Sequence, residues 1–269
     1  MAVPKDISPD KWSERLIDRL AYAHDASMYR LVPQAVARPK SEQDVQSILH
    51  YANDAKTPVT FRTGGTSLSG QSITEGIIAE VVQGWQDYDV LDQGRSIRLS
   101  PGVIGAKANL YLSPYQKRIG PDPASINVAR IGGIISNNSS GMVCGVKHNA
   151  YHTMKYIRFM LANGQVYDTR NQDDYERFVT EEYKLAEGIL SCKKQVESNQ
   201  DMVNKITNKY RIKNTLGYSL NALIDYNHPL DIFAHLIIGA EGTLAFFSSV
   251  ELESIDDPPL KSTGLVLFN

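Results

Sequence analysis

Residues 62–72, with the sequence Arg-Thr-Gly-Gly-Thr-Ser-Leu-Ser-Gly-Gln-Ser, contain the residue types from which an anion site can be built. The glycines at 64, 65 and 70 let the backbone adopt positive φ angles and let a ligand come close to the peptide planes. Successive free N–H groups in such a turn form a concave anion site, and the Ser and Thr hydroxyls can add further donors. A diphosphate is the ligand that this chemistry favours.

Neither of the two familiar phosphate loops matches this segment. The spacing from Gly65 to Gly70 is that of a Walker loop, but Gln71 and Ser72 stand where Lys and then Ser or Thr are required. A Rossmann fingerprint needs Gly-x-Gly-x-x-Gly at the start of a helix, which residues 64–66 do not provide. Taken alone, the segment is as well explained by a glycine-rich surface turn as by a ligand site.

Two further segments combine small and polar residues. Residues 120–125 contain two prolines that stiffen the loop, which makes it either a ligand wall or an edge connection. In residues 131–145, Gly132 and Gly133 could begin a helix whose N-terminal N–H groups point outward, and the Asn and Ser side chains of residues 137–140 offer donors and acceptors to a heterocyclic ring. A capped helix followed by a turn is the competing interpretation.

A metal-dependent hydrolase is an alternative of another class, because His148 and His152 are four residues apart and could share one face of a helix. Asn149 stands where a zinc protease of this spacing has its general-base Glu, so the match is poor. Cys144 and Cys192 lack a Cys-x-x-Cys spacing, which argues against a zinc site or a disulfide framework and fits a reducing compartment. No metal site is therefore predicted.

The 269-residue chain has the composition of an ordinary soluble protein, with 42% hydrophobic and 22% charged residues. Its net charge of −2 gives no basic surface that would indicate nucleic-acid binding. The longest apolar runs are too short to span a bilayer, and the N-terminus lacks the apolar core of a signal peptide. We therefore expect an intracellular protein without a transmembrane segment.

The elements that hold these segments alternate between helix and strand in the first part of the chain. Apolar residues at helical spacing from Trp12 to Ala23 predict an amphipathic N-terminal helix. A capping box at residues 41–44, with Asp in place of Glu, predicts the start of a second helix. Together with three strands, this order favours a small α/β unit in which the 62–72 loop lies between the last two strands. The three strands are predicted at residues 35–39, 58–61 and 77–82.

The rest of the chain is predicted to mix hairpins with a helical excursion. One hairpin joins residues 87–91 to 96–99, and a second joins residues 154–161 to 165–168 through a two-residue Asn163-Gly164 turn. Residues 101–103 are expected to open a helix that runs to about Tyr111. The remaining predictions are short helices within residues 172–236, an apolar strand at 236–247 interrupted at 239–243, a strand at 250–253, and a final strand at 264–269 that enters a further domain.

In their order and spacing, residues 62–72, 120–145 and 238–244 resemble the FAD-linked oxidases, the superfamily of vanillyl-alcohol oxidase and p-cresol methylhydroxylase. The group of the glycolate oxidase subunit and D-lactate dehydrogenase is the most similar. The resemblance implies an α+β fold, the two-subdomain FAD-binding domain of the p-cresol methylhydroxylase type with a helical insertion. It divides the chain into an N-terminal helical segment (1–33), the FAD-binding domain (34–254, with subdomains 34–103 and 104–254 and an insertion at about 172–232), and the start of an absent substrate domain (255–269).

The resemblance also implies which residues bind the cofactor. The first segment would hold the pyrophosphate, the second would lie beside the isoalloxazine and the ribityl chain, and the third would lie near the adenine half. Thr66 stands where relatives with covalent flavin have a histidine, which implies non-covalent FAD. The implied cofactor-binding residues are Arg62, Thr63, Gly64, Gly65, Thr66, Ser67, Gly70, Gln71, Ser72, Pro121, Asp122, Ser125, Ile126, Gly132, Gly133, Asn137, Ser140, Gly141, Ile238, Gly239, Glu241, Gly242 and Thr243.

The activity that the resemblance implies is oxidation of a 2-hydroxy acid, such as D-lactate or glycolate, by hydride transfer to FAD. Substrate-binding Arg and His residues of related enzymes lie largely in the following domain, so the catalytic residues are not identified. The electron acceptor would be a protein, an iron–sulfur domain, a quinone or oxygen. The location would be cytoplasmic, with a peripheral membrane association as a further option. The alternative is a module that binds FAD or another nucleotide without turnover of its own.

Overall fold

Two β-sheets and a group of helices form the structure, a computed structural model that describes residues 6–260, 262 and 264–268. The first sheet has four strands in the order β1-β2-β4-β3. The second has six strands, with β5-β6-β10-β8-β9 in order and β7 paired to β10. Helices and strands in both units agree with the α+β fold expected from the sequence.

The first sheet is a small α/β unit, as predicted. Its strands β2 and β3 both pair in parallel with β4, and β1 pairs antiparallel with β2. The helix α2 (Glu42–Ala55) connects β2 to β3 and buries Val45, Ile48 and Leu49. The strands are β1 (Trp12–Ser13), β2 (Ala35–Ala37), β3 (Val59–Arg62) and β4 (Ile77–Glu80).

The capping signal before α2 is confirmed with one difference. The Ser41 hydroxyl accepts a hydrogen bond from the Asp44 N–H at 3.2 Å, as a helix N-cap should. The Asp44 carboxylate reaches back to the N–H of Lys40 rather than to that of Ser41, and it also forms an ion pair with Lys11 at 2.7 Å. Asp44 therefore ties the start of α2 to the N-terminal segment.

The N-terminal helix is shorter than predicted. Trp12 lies in β1, where it pairs with Ala37 and packs edge-on against Tyr51, and the helix α1 covers only Leu16–Ala21. Backbone pairing and burial of the indole ring in the core of the first sheet outweigh the helical spacing of the apolar residues.

The second sheet is antiparallel and is built around the long strand β10 (Phe246–Asp256). Both predicted hairpins are present in it. The loop of the second hairpin contains residues 162–164 rather than two residues, because the N–H of Leu161 donates to Gln165 O and Gly164 adopts φ +86°. The other strands are β5 (Tyr88–Leu91), β6 (Ser96–Leu99), β7 (Lys117–Ile119), β8 (Met154–Met160) and β9 (Val166–Asp168).

Eight more helices pack mainly on the second sheet, and residues 172–237 supply most of them. Phe178 and Phe233 of this helical insertion contact each other, and Phe233 packs on Phe159 of β8, so the insertion shares the core of the sheet. These helices are α3 (Gly105–Leu112), α4 (Ile131–Ser136), α5 (Ala150–Thr153), α6 (Gln172–Glu181), α7 (Tyr183–Glu197), α8 (Gln200–Tyr210), α9 (Ala222–Asp225) and α10 (Pro229–Ile237).

Four predicted boundaries differ from the structure. The apolar run after Leu236 begins inside α10 and continues through a turn, so the strand starts only at Phe246. The helix expected from residues 101–103 begins at Gly105. The chain passes from the first sheet to the second between β4 and β5, well before residue 103. Residues 264–268 have no regular secondary structure, and Asn269 lies outside the described residues.

The two sheets are joined by an apolar cluster and an ion pair. Val45 and Leu49 of α2 pack with Met160 and Phe246 of the second sheet. Beside this cluster the Arg158 guanidinium donates to both carboxylate oxygens of Glu42, at 2.8 and 2.9 Å. These contacts fix the relative positions of the two sheets.

Candidate functional site

A cleft of about 650 Å³ brings together residues from all three segments that the sequence singled out. This volume lies within the range of pockets that hold small molecules and cofactors. Its walls come from the loop between β3 and β4, from the helix α4 and the loops on either side of it, and from the turn between α10 and β10 together with the start of β10.

The loop after β3 presents unused hydrogen-bond donors to the cleft. Gly65, Thr66 and Ser67 line it, and their backbone N–H groups donate to no acceptor among the described residues. The Ser67 hydroxyl accepts from the N–H groups of Ser69 and Gln71, each at 3.2 Å, which fixes the turn. A row of free N–H groups held in a turn is an anion site.

Arg62 adds positive charge below this loop instead of lining the cleft. Its Nη1 donates to three backbone carbonyls, those of Tyr22, His24 and Ser72, at 3.2, 2.9 and 3.4 Å. Because these acceptors are neutral, the guanidinium charge is not cancelled by a direct carboxylate partner. An anion in the loop above it would gain from that charge.

The helix α4 begins against the same loop. A β-carbon at Gly132 would lie 2.7 Å from Cγ2 of Thr63, so any other residue would force Thr63 to shift. The N–H groups of Ile131 and Gly132 donate to Val103 O and Pro101 O, which differs from the outward orientation that was predicted. Only the N–H of Gly133 is left without an acceptor among the described residues, and Gly133 lines the cleft.

The turn between α10 and β10 supplies a carboxylate. Glu241 and Gly242 line the cleft, and both have positive φ angles, +54° and +76°. The N–H of Glu241 donates to Ser136 O at 2.8 Å, which fixes this turn to the C-terminal end of α4. Burial raises the pKa of the Glu241 carboxyl to about 7.

An apolar wall that was not predicted completes the cleft. Phe61 and Phe246 pack with ring centroids 4.7 Å apart, and Val81 and Phe247 also face the cleft. Each of these residues lies in or beside a predicted strand, so the sequence predicts their secondary structure but not their position in the cleft. The order of strands across the two sheets, which brings them to one cleft, was not readable from the sequence.

Lys213 and Thr215, in the loop after α8, are not among the residues that the sequence predicts to bind the cofactor. Both line the cleft, and Lys213 Nζ donates to Ser140 O at 2.9 Å. The helical insertion therefore contributes directly to the cleft through this loop. The Asn- and aromatic-rich composition of residues 210–226 indicates a segment that lines or covers a cleft, but no motif marks Lys213 and Thr215 themselves, since their proximity to the other walls depends on how the insertion folds back.

More than half of the predicted cofactor-binding residues line the cleft, and they come from each predicted segment. Those that do are Thr63, Gly65, Thr66, Ser67, Gln71, Ser72, Ser125, Gly132, Gly133, Asn137, Ser140, Glu241 and Gly242.

The other predicted residues do not line the cleft, and two of them form hydrogen bonds within its loops. Asp122 accepts hydrogen bonds from the N–H groups of Gly141, Val143 and Cys144, which fastens the loop after α4. The Thr243 hydroxyl donates to Ala240 O inside the late turn. The predicted residues that do not line the cleft are Arg62, Gly64, Gly70, Pro121, Asp122, Ile126, Gly141, Ile238, Gly239 and Thr243.

The two histidines of the hydrolase alternative do not share a helix. The helix α5 begins at Ala150, so His148 precedes it, and the His152 Nδ1 lies 2.9 Å from Asn149 Oδ1. Within residues 6–260, no three His, Cys, Asp or Glu side chains are placed to hold a metal ion. The same residues contain no helix with the length and apolar character of a bilayer span.

Comparison with known proteins identifies the ligand class. The family model for the FAD binding domain matches residues 33–170. The chain is 29% identical over 254 residues to D-2-hydroxyglutarate dehydrogenase of Pantoea ananatis, covering 91% of this chain and 24% of that protein. It is 24% identical over 266 residues to the glycolate oxidase subunit GlcD of Bacillus subtilis, covering 97% of this chain and 45% of the relative.

Solved structures share the fold. Alkyldihydroxyacetonephosphate synthase superposes with a TM-score of 0.62 at 14% identity, over 95% of this chain and 39% of that one. The 6-hydroxy-D-nicotine oxidase of Arthrobacter nicotinovorans gives a TM-score of 0.57 at 16% identity, over 93% of this chain and 42% of that one. The architecture expected from the sequence, that of the p-cresol methylhydroxylase type, is thereby confirmed.

The residues of the cleft fit a flavin dinucleotide. Free N–H groups above the Arg62 guanidinium match a diphosphate. The apolar wall of Phe61, Val81 and Phe246 matches an aromatic ring. Gly133 leaves room for a ligand, because even a β-carbon there would meet only Thr63 Oγ1, at 3.7 Å. The chain spans about a quarter of the length of the D-2-hydroxyglutarate dehydrogenase of Pantoea ananatis. It belongs to the FAD binding domain family.

Proposed function

We propose that the chain is the FAD-binding part of an oxidoreductase that oxidises a 2-hydroxy acid, with the FAD held non-covalently. The observation that carries this proposal is the convergence of the three sequence segments on one cleft. The names of the relatives, D-2-hydroxyglutarate dehydrogenase and glycolate oxidase subunit, support the substrate class. When bound, FAD supplies the redox chemistry by accepting a hydride equivalent from the substrate carbon.

The residues of the chain would bind and orient the cofactor. The N–H groups of Gly65, Thr66 and Ser67 would hold the diphosphate, and each hydrogen bond to an ionised group contributes about 1.5–3 kcal/mol. The apolar side chains of Phe61 and Phe246 would exclude water from one face of the cleft. These roles are those of a scaffold that positions a reactive ring.

Non-covalent attachment is favoured by the side chains that line the cleft. Thr66 stands in the first loop, and no His or Cys is among the described residues of the lining. Cys144 lies behind it and is buried. A covalent bond to the flavin would need a nucleophilic side chain on the wall, which the described lining does not offer.

A cofactor-binding module without turnover of its own is the second candidate. The ionisable side chains among the described residues that line the cleft are Lys213 and Glu241, and neither an arginine nor a histidine is present to bind a substrate carboxylate. The substrate-binding residues would then lie in a further domain. The electron acceptor would be a protein, an iron–sulfur domain or a quinone. We propose a cytoplasmic location for the enzyme.

The absorbance spectrum of the purified protein separates these candidates. A flavin spectrum is expected from this chain, or from the chain after incubation with FAD. Anaerobic bleaching by glycolate, D-lactate or D-2-hydroxyglutarate would support oxidation of the acid by the bound flavin, and a flavin that no acid bleaches would support the binding module. A protein that takes up no FAD from solution would contradict both.

A further inference from the structure

A second, small cavity lies between the helical insertion and the segment that leads from the end of α4 into α5. Its volume is about 10 Å³, which is room for one water molecule. Eight of the ten described residues that line it carry a hydrogen-bonding side chain. None of the ten belongs to the described lining of the large cleft, so this cavity is a separate feature.

Asn221 brings an unpartnered acceptor to this cavity from the insertion. The residue is 7% exposed, and its side-chain Oδ1 has no hydrogen-bond partner among the described residues. Its Nδ2 donates to Asp225 Oδ2 at 2.9 Å, which fixes the orientation of the amide because the carboxylate needs a donor. Buried polar groups in folded proteins almost always have a partner, so Asn221 Oδ1 calls for a donor.

Asn138 brings the complementary group from the other side of the cavity. It is 5% exposed, and its Oδ1 accepts from the Tyr151 N–H at 3.3 Å, whereas its Nδ2 donates to no acceptor among the described residues. Its φ of +46° is a conformation that Asn tolerates better than most residues. The N–H of Asn138 donates to Ile135 O at 2.9 Å, which holds the residue at the end of α4.

A ligand that both donates and accepts hydrogen bonds satisfies these two groups, and water is the smallest such molecule. A cation would be attracted to the Asn221 oxygen but repelled by the Asn138 amide N–H. Two other oxygens of the lining already form hydrogen bonds, from Ser219 Oγ to Ile238 O and from the Tyr210 hydroxyl to a backbone carbonyl, each at 2.7 Å. In the part of the chain that the structure describes, no three His, Cys, Asp or Glu side chains are placed to hold a metal ion.

We propose that the cavity binds one water molecule, which donates to Asn221 Oδ1 and accepts from Asn138 Nδ2. This bridge ties the helical insertion to the end of α4, and both segments continue into the walls of the large cleft. Two residues of that cleft flank Asn138 in the chain, and two residues of the small cavity flank Lys213 of the cleft. The water is a structural ligand of the wall, whichever cofactor the large cleft holds.

The test is a crystal structure of the whole chain at a resolution that shows ordered water. A solvent peak is expected within about 3.2 Å of both Asn221 Oδ1 and Asn138 Nδ2. Asn221→Leu, which keeps a side chain of similar size without the amide, should lose the peak. The matched control is Asn208→Leu, which makes the same chemical change at an exposed position of α8 and should keep it.

Three crystallographic outcomes would overturn the inference. The first is a wild-type map without a peak in the cavity, and the second is a peak that contacts Asn221 but not Asn138. The third is anomalous scattering at this position from crystals soaked in rubidium chloride, which would show that the cavity holds a monovalent cation. Should Asn221→Leu not fold by circular dichroism, the wild-type map and the soak decide the question.

Urea unfolding tests the bridge in solution. No hydrogen bond joins the side chains of Asn138 and Asn221 directly, so a shared water is the link between them. Once Asn221→Leu has removed the water, Asn138→Gly should cost less than it does in the wild type. The unfolding constant of the double variant should therefore fall short of the product of the two single effects by about fivefold. Single effects that multiply without this shortfall would contradict the bridge.

Discussion

The guanidinium of Arg62 lies directly beneath Gly65, so close that a β-carbon at Gly65 would be 2.6 Å from Arg62 Nη2. Gly65 also has φ +62°, which disfavours any other residue. Arg62 in turn holds Tyr22, His24 and Ser72 through their carbonyls. Arg62 therefore supports the conformation of the anion loop and also supplies the positive charge beneath it.

Gly65→Val should abolish FAD retention while leaving the circular dichroism spectrum near native. The side chain would displace Arg62 and close the approach to the N–H groups of the loop, and loss of two bonds to an anion corresponds to about a hundredfold loss of affinity. Flavin fluorescence titration measures the change.

Gly188→Ala is the matched control for Gly65→Val. Gly188 is exposed in α7, and a β-carbon there would have no neighbour within 4 Å, so this variant should bind FAD normally and gain roughly 0.5–1 kcal/mol in helix stability. A yellow Gly65→Val protein with wild-type affinity would refute the assignment of this loop.

The proposed non-covalent attachment predicts that acid or boiling releases all flavin from the holoprotein. The reason is that the lining offers Thr66 where a histidine would be needed for a covalent bond. Absorbance of the supernatant and of the washed precipitate measures the partition, with free FAD mixed into an unrelated denatured protein as the control. Flavin that stays on the chain through gel electrophoresis would mean that some residue forms a covalent link.

Sequence reasoning worked best where a local signal and the tertiary structure agree. The Ser41 cap and the spacing from Val45 to Ala52 predicted α2, and burial of that face in the structure explains why the prediction held. The order of the three cofactor segments predicted a single cleft, although the sequence alone gave no distances between them. The family resemblance, rather than propensity, carried that step.

The errors occurred where tertiary contacts decide between local alternatives. Residues 236–238 are apolar, which fits either a strand or a buried helix. The signals that favour the helix are at its start, where His228 is the N-cap and Pro229 is the first residue of α10. Trp12 was assigned to a helix because a two-residue strand leaves no periodic pattern. The composition of residues 210–226 indicates a segment that lines or covers a cleft, but the contact between Lys213 and Ser140 depends on the fold of the insertion.

The ion pair between Glu42 and Arg158 should make stability depend on pH. Burial alone would raise the pKa of Glu42, but hydrogen bonds from Arg158 and Ser248 outweigh burial and hold the pKa below its usual value. A group with a lowered folded-state pKa stabilises the fold above its unfolded pKa and loses that contribution as pH falls through the folded value. The loss should therefore begin below about pH 4.3, the ordinary value for Glu.

Urea unfolding of wild type and Glu42→Gln measures this effect. At neutral pH, Glu42→Gln should be less stable by about 2 kcal/mol, the contribution of hydrogen bonds between charged groups. The difference between the two proteins should shrink as the pH falls into the acid range. Glu187→Gln, at an exposed position in α7, is the control, and equal stabilities at neutral pH would contradict a structural role for the pair.

Glu241→Gly should stabilise the protein while weakening its binding of FAD. Glycine relieves the left-handed backbone at this position, a gain of about 1 kcal/mol, and it removes the side chain of a residue that lines the cleft. Thermal unfolding without FAD and fluorescence titration with FAD measure the two effects. The comparison is Lys56→Gly, at another left-handed residue far from the cleft lining, which should gain stability and keep its affinity. A destabilised Glu241→Gly protein would show that the turn is not strained.

The loop after α4 should loosen when Asp122 is removed. Its carboxylate accepts from the N–H groups of Gly141, Val143 and Cys144 at 2.8, 2.9 and 3.2 Å, and it holds the buried Cys144 thiol in place. Burial, together with the nearby Asp122 carboxylate, raises the pKa of that thiol. Removal of Asp122 therefore both exposes the thiol and favours its reactive thiolate form.

We expect Asp122→Ala to increase the rate at which Cys144 reacts with a disulfide reagent by about tenfold or more, since loss of one bond to a charged group is sufficient for that factor. The exposed Cys192 is first replaced by Ser, so that the signal reports Cys144 alone. Asp54→Ala, at an exposed position of α2, should react at the wild-type rate. If Cys144 reacts at an unchanged rate in a folded Asp122→Ala protein, the three N–H groups have lost their acceptor and the loop has still not opened. Other contacts would then hold the loop, which would contradict this role of Asp122.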